Sequence, residues 1–200
     1  MRFAAIALLM LGLVGCFGGG EPPPRDRYYR ISVSPPDTAR EPLGVLSSGV
    51  LSVTPLDADG LLRERPVLYS RSGQGQQVEQ HDYHYWSDPP TRMLQGEIAR
   101  YLKQSGLART VVTPELRIRP DFEIIGRVNR LERVLGDGPP RVVAELELAV
   151  IDTTKDRVVI NQRYRAEVAS GNGSVAAAVL AINEALGKIL GAFVDDIRRS

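Results

Sequence analysis

Apolar and polar residues alternate through the second half of the chain. Even-numbered positions from Val142 to Val150 are apolar, and Glu145 and Glu147 lie between them. A period of two is typical of a half-buried strand. An extended run from Phe122 precedes this strand, and residues 152–156 are expected to reverse the chain into a third strand. The face of that strand assigned to the core consists of Val158, Ile160, Tyr164, Ala166 and Val168. The pattern predicts an antiparallel meander with one face exposed to water.

Shorter β signals precede the meander. Residues 27–33 and 49–56 are rich in apolar and β-branched side chains, and prolines follow or interrupt both runs. The stretches "PVLYSRS" and "QQVEQHDYHYW" flank a glycine-containing segment at 73–75, which predicts a β-hairpin. The short run "TVV" at 110–112 is a further candidate strand.

Two segments have helical spacing. In the first, we expect Asp88 to cap the helix, Pro89 to occupy its first position and Gly106 to end it. Its apolar face consists of Leu94, Ile98, Tyr101 and Leu102.

The second helix is expected after "GNGS", with Asn172 or Ser174 as its cap. Its apolar stripe consists of Val175, Val179, Ile182, Leu186, Ile189, Phe193 and Ile197. Such a stripe must be buried, and the sheet is the expected partner. The elements together predict a single two-layer α/β domain of the α+β type, with a mixed, largely antiparallel sheet and two main helices on one face.

The N-terminal segment has the layout of a secretory signal. Arg2 precedes an uncharged apolar run from Phe3 to Val14, which is too short to span a bilayer as a helix. The tetrapeptide Leu13-Val14-Gly15-Cys16 resembles the lipobox of bacterial lipoproteins. That resemblance implies cleavage after Gly15 and lipidation of Cys16, whereas an ordinary signal peptide near a free cysteine is the alternative.

The expected organisation is therefore a signal peptide at 1–15, a lipidated Cys16 with a Gly/Pro tether at 16–26, and a folded domain at 27–200. Phe17 and Gly18 stand where inner-membrane lipoproteins carry an aspartate, so the resemblance favours the outer membrane. Cleavage removes only Arg2 from 25 basic residues and leaves 24 acidic ones in place. This balanced charge argues against nucleic-acid binding.

Few residues in the sequence are candidates for catalysis, metal binding or phosphate binding. His81 and His84 lie three apart in an extended run, so we expect them on opposite faces and assign them neither metal binding nor catalysis. The sequence gives no reason to expect a cofactor. "SGNGSV" at 170–175 could present helix amides to a phosphate, but a loop with a capping serine is the preferred interpretation.

An aromatic cluster, Tyr83, Tyr85 and Trp86, lies just before the first helix. One interpretation is that alternate rings pack beneath that helix, and the other is a lipid or partner contact.

The lipobox, "YYRISV", "VLSVTPL" and the segment from 67 to 102 together resemble the ABC-type transport auxiliary lipoproteins, a family that includes the paraquat-inducible outer-membrane lipoprotein. The resemblance is strongest in the order Tyr69, Tyr83 or Tyr85, Trp86, Pro90, Leu94 and Leu102. It covers nearly the whole chain after the signal and implies a fold similar to the amino-terminal domain of TolB.

The resemblance implies a non-catalytic component of an envelope transport system for lipids or other apolar compounds. The implied partners are a mammalian-cell-entry (MCE) type periplasmic protein and an inner-membrane ABC transporter or permease, with homo-oligomers an open alternative. Two competing hypotheses are a structural lipoprotein of an outer-membrane assembly or efflux complex, and a lipid-anchored hydrolase that uses His81 or His84.

Overall fold

The computed structural model describes residues 24–36, 46, 49–72, 77–136 and 138–200. The predicted signal peptide, Cys16, most of the tether and the turn at 73–75 lie outside these residues.

The described residues form one nine-stranded sheet. Its strands are β1 (Arg27–Tyr29), β2 (Val50–Val53), β3 (Asp57–Ala58), β4 (Pro66–Arg71), β5 (Val78–Trp86), β6 (Thr110–Val112), β7 (Phe122–Leu135), β8 (Arg141–Asp152) and β9 (Arg157–Ala169). Two α-helices accompany them, α1 (Pro90–Gln104) and α2 (Val175–Arg199), and short 3₁₀ turns occupy Gly60–Arg63 and Pro114–Leu116.

The sheet is organised around β7, its longest strand. Along one edge β7 pairs in parallel with β2, then β3, then β4, and along the other it pairs antiparallel with β8 over nearly its whole length. β9 continues the antiparallel meander beyond β8. The predicted hairpin of β4 and β5 forms, and β1 joins β5 in parallel as an outer strand. The sheet is therefore mixed, with its long ladders antiparallel, as the sequence predicts.

α2 covers the face of the meander that carries the even-numbered residues of β8. Leu146, Ile182, Leu186 and Phe193 are among the fully or nearly fully buried residues of this core. Seven large apolar side chains at this interface contribute on the order of 10 kcal/mol of gross burial before chain entropy is subtracted. α2 is long and apolar enough to pass for a membrane span, but more than half of it is buried within the domain, as expected of a core helix.

Three predicted details differ from the structure. α1 begins one residue later than expected: Pro90 occupies the first helical position and Pro89, rather than Asp88, is the N-cap residue. Only 27–29 of the first predicted strand join the sheet, although Ile31 and Val33 are buried.

The third difference is a bulge in the β8–β9 ladder, between the pairs Val150–Ile160 and Ile151–Val158. The extra residue moves Val158 to the face opposite the helices, where it is 60% exposed. Val158 is therefore not part of the core face on which the alternation pattern placed it.

Candidate contact surface

Trp86 and Tyr83 have different environments although both lie near the end of β5. Trp86 is 1% exposed and its backbone amide donates to the carbonyl of Arg65 at 2.6 Å. Trp86 therefore packs in the core, as the structural interpretation of the aromatic cluster holds. Tyr83 is 44% exposed.

A β-bulge explains the exposure of Tyr83. Its φ of 60° lies in the left-handed region, which non-glycine residues seldom adopt. The pairing with β4 shifts register between Pro66 and Leu68, opposite this residue. The bulge interrupts the strict alternation of side chains along β5, and strained conformations of this kind are concentrated at functional sites.

β1 adds a second exposed tyrosine beside this bulge. Tyr28 is 55% exposed and aligned with Tyr85, and their ring centroids are 5.9 Å apart. The guanidinium of Arg65 lies 5.5 Å from the centre of the Tyr28 ring, within cation–π distance. We refer to Tyr28, Tyr83 and Tyr85 as the tyrosine edge, because they lie on the two strands that end this side of the sheet. The sequence predicts the two β5 tyrosines as members of an aromatic cluster but not Tyr28, because only the pairing of β1 with β5 brings Tyr28 beside them.

The two histidines lie close together, so the expectation that they occupy opposite faces is wrong. Their ring centroids are 6.2 Å apart because the bulge at Tyr83 changes the side on which His84 emerges. His81 packs against Tyr69 at 4.6 Å between ring centroids, and the Tyr29 hydroxyl lies 2.8 Å from Nδ1 of His84 in a hydrogen bond.

Burial determines the charge of this pair. Burial, reinforced by the nearby charges of Arg133 and His84, lowers the pKa of His81 to about 4. Burial also lowers the pKa of His84, with a further contribution from Arg27. Both rings are therefore neutral near pH 7. In the described part of the chain no serine or threonine hydroxyl is hydrogen-bonded to either ring, and no three potential metal ligands cluster.

A shallow groove lies on the face of the sheet opposite the helices. Its cavity volume is about 470 Å³, and its apolar lining includes Pro55, Ile125, Ala149, Ile151 and Val158. An ion-pair network borders it, in which Arg127 binds both Asp57 and Asp59. We refer to it as the open-face groove. The alternation pattern predicted a wet face here and did not reveal the apolar patch.

The comparisons with known proteins identify the class. The family model of the ABC-type transport auxiliary lipoprotein component matches residues 29–192. The chain therefore belongs to this family of transport auxiliary lipoproteins.

Solved structures support the fold. The chain is similar to a protein of family DUF330 from Xanthomonas campestris, with a TM-score of 0.73 and 22% identity over 84% of this chain and 92% of that one. A second structure, of an uncharacterized protein, gives a TM-score of 0.67 and 15% identity over 87% of this chain and 99% of that one. A comparison with curated proteins finds no match.

Proposed function

We propose that this protein is a non-catalytic, lipid-anchored component of an envelope transport system that moves lipids or other apolar compounds between membranes. The observation that carries the proposal is the family match over residues 29–192. Its partners would be an MCE-type periplasmic protein and an inner-membrane ABC transporter or permease. The anchor would be in the outer membrane, with the domain facing the periplasm.

The anchor is Cys16, lipidated after cleavage behind Gly15. Ten residues separate Cys16 from Arg27, the start of β1, so a fully extended tether would span about 35 Å. More than one acyl chain is needed for stable attachment, and a lipoprotein cysteine carries two or three. The domain can therefore lie on the membrane surface or stand off from it.

The tyrosine edge is the surface of the domain best suited to meet the anchoring membrane. The tether joins the domain at β1, the strand that carries Tyr28. Tyrosine rings favour the headgroup region, where an apolar ring and a polar hydroxyl are both accommodated. Arg65 beside Tyr28 adds a positive charge that anionic headgroups attract.

Mass spectrometry of the processed protein tests the anchor. We expect the first residue to be Cys16 with a diacylglycerol thioether, and the protein to sediment with membranes. A Cys16→Ser variant should lose the lipid and associate with membranes much more weakly, while its domain stays folded. An unmodified Cys16 in the wild type, or wild-type protein free in the periplasm, would contradict the proposal.

Cross-linking in cells followed by identification of the captured proteins tests the partners. We expect an MCE-type protein or a transporter subunit. Capture of an outer-membrane barrel or channel instead would favour the structural-lipoprotein hypothesis. Replacement of both His81 and His84 by asparagine should leave envelope function unchanged, and a loss of function in a folded double variant would revive the hydrolase hypothesis.

A further inference from the structure

Arg133 is a buried arginine that forms no ion pair with any residue the structure describes. It lies near the end of β7, on the helix-covered face, aligned with Tyr69 on β4 and Val142 on β8. It is 5% exposed, and its Nε atom has no hydrogen-bond partner. Burial also lowers the pKa of Arg133.

Two carboxylates on the strands around Arg133, those of Glu132 and Glu79, have other partners. Glu132 points to the other face, where it pairs with Arg130 and accepts a hydrogen bond from Ser70. Glu79 accepts a hydrogen bond from the Tyr69 hydroxyl at 2.6 Å and faces Arg71. Among the described residues, none forms an ion pair with Arg133.

Arg133 instead points toward the start of α2. Its Nη2 atom lies 3.7 Å from the position that a Cβ on Gly173 would occupy, one residue before the cap Ser174. The Ser174 hydroxyl accepts from the amide of Ala177, and the amides of Val175 and Ala176 have no acceptor among the described residues. The N-terminus of a helix carries a partial positive charge. Two positive groups thus face each other, and in the described part of the chain no carboxylate pairs with Arg133.

Two further polar atoms at this end of the sheet lack partners. Nε2 of His81 and Oγ of Ser170 are both buried without a hydrogen bond. Ser170 lies three residues before Gly173, and the charge of Arg133 is close enough to His81 to lower its pKa. Buried polar atoms in native proteins are nearly always paired with protein groups, water or a ligand, so unpaired atoms among the described residues at this end of the sheet are consistent with a polar ligand there.

We propose that Arg133 and the first turn of α2 form a binding site for a phosphoryl anion, with Ser170 as an additional hydrogen-bonding group. A guanidinium offers two parallel donors, and the amides of a helix start offer more, which together match a tetrahedral oxyanion. Residues 171–174 are exposed, so a ligand can reach the site from solvent. The site is independent of the anchor at Cys16.

The phosphoryl group could belong to a phospholipid headgroup or to free phosphate, and titration distinguishes the two. The purified lipoprotein in non-ionic detergent would be titrated calorimetrically with inorganic phosphate at constant ionic strength, and separately with dihexanoyl phosphatidic acid. Saturable binding of either probe is expected. Binding of the lipid at least tenfold tighter than phosphate would identify a headgroup site, and equal binding would identify a site for the phosphate group alone.

Substitutions of Arg133 test whether this residue is responsible for the binding. Arg133→Gln should weaken the affinity for the preferred probe at least tenfold, and Arg133→Lys should weaken it less. The matched control is Arg163→Gln, which removes the same charge from the exposed opposite face and should leave affinity unchanged. If Arg133→Gln fails to fold, Arg133→Lys and Ser170→Ala together serve as the test.

Three results would overturn the proposal. The first is the absence of saturable binding of either probe by the wild type. The second is equal affinity in the wild type and the Arg133 variants. The third is an equal loss in Arg163→Gln, which would show a general effect of net charge rather than a site.

Discussion

Tyr83 and Trp86 show, at the scale of single residues, how closely spaced aromatic side chains acquire different roles. The bulge exposes Tyr83, whereas Trp86 is among the largest fully buried side chains. The sequence identified both as members of one cluster. It could not separate them, because the bulge depends on the pairing between β4 and β5 rather than on local preference.

This contrast predicts different effects on stability. Trp86→Ala should lower the free energy of unfolding by about 3–5 kcal/mol, because it leaves a large cavity in the core. Tyr83→Ala removes a ring that is only partly buried and should change the free energy of unfolding by less than about 1 kcal/mol. Urea denaturation followed by circular dichroism measures both, and equal losses would show that Tyr83 is also a core residue.

His81 should make stability depend on pH. Its pKa is about 4 in the folded protein and 6.5 in the unfolded chain, so the unfolded state takes up a proton first as the pH falls. The stabilisation is complete above pH 6.5 and is lost between pH 6.5 and 4. The effect is on the order of 2 kcal/mol, since one pKa unit corresponds to about 1.4 kcal/mol and partial exposure of the ring reduces the full value.

The contribution of His81 is isolated by measuring the stability of the wild type and of His81→Gln over the same pH range. Asp82, His84 and Arg133 influence His81, and all three remain in the variant. The carboxylates that titrate in this range are common to both proteins, so the difference between the two stability curves reports His81. Parallel curves would show that the ring is not buried in solution.

At the scale of elements, the β7–β8 ladder depends on a close approach at Gly126. A Cβ at this position would lie 2.6 Å from the backbone carbonyl oxygen of Glu147 and 2.7 Å from the side chain of Leu148. The backbone of β8 at Glu147 cannot move away from an added Cβ as a flexible side chain could. The alternation pattern placed Gly126 within a strand without giving a reason for a glycine there.

Gly126→Ala should therefore destabilise the protein by about 1–3 kcal/mol, as overpacking commonly does. Gly138→Ala is the matched control, since nothing lies within 4 Å of its Cβ position. Thermal unfolding of the two variants measures the difference. An equally stable Gly126→Ala would mean that β7 and β8 separate slightly at this point.

Helix boundaries were predictable to within a residue or two, for local reasons. Ser174 caps α2 through the amide of Ala177, and Gly106 adopts the positive φ that commonly follows a helix. The beginning of α1 was misplaced because two consecutive prolines, Pro89 and Pro90, both suit a first turn. Which of them joins the helix depends on how the chain leaves β5.

At the scale of the whole molecule, β1 brings Tyr28 of the tyrosine edge within 12 residues of Cys16, the proposed anchor. This arrangement predicts that the domain has weak affinity for membranes even without acyl chains. Full-length Cys16→Ser protein should co-float with vesicles that contain anionic phospholipid, and less so at high salt, which screens Arg65.

Adding Tyr28→Ala and Tyr83→Ala to Cys16→Ser should reduce flotation severalfold. A control is Leu180→Ala, which removes a still more exposed apolar side chain that lies on α2 rather than on the tyrosine edge. Equal flotation of both variants would argue that the tyrosine edge meets a protein partner rather than the bilayer.

The sequence by itself determined the hairpin, the antiparallel meander and both helices, because hydrophobic period, turns and caps are local properties of the chain. It also placed the lone cysteine where a lipid anchor is expected. Only the tertiary structure decided that β7 joins three short parallel strands, that Tyr28 meets Tyr85, and that Arg133 faces the start of α2. These contacts join residues far apart in sequence, and they depend on strand register and bulges that no local pattern encodes.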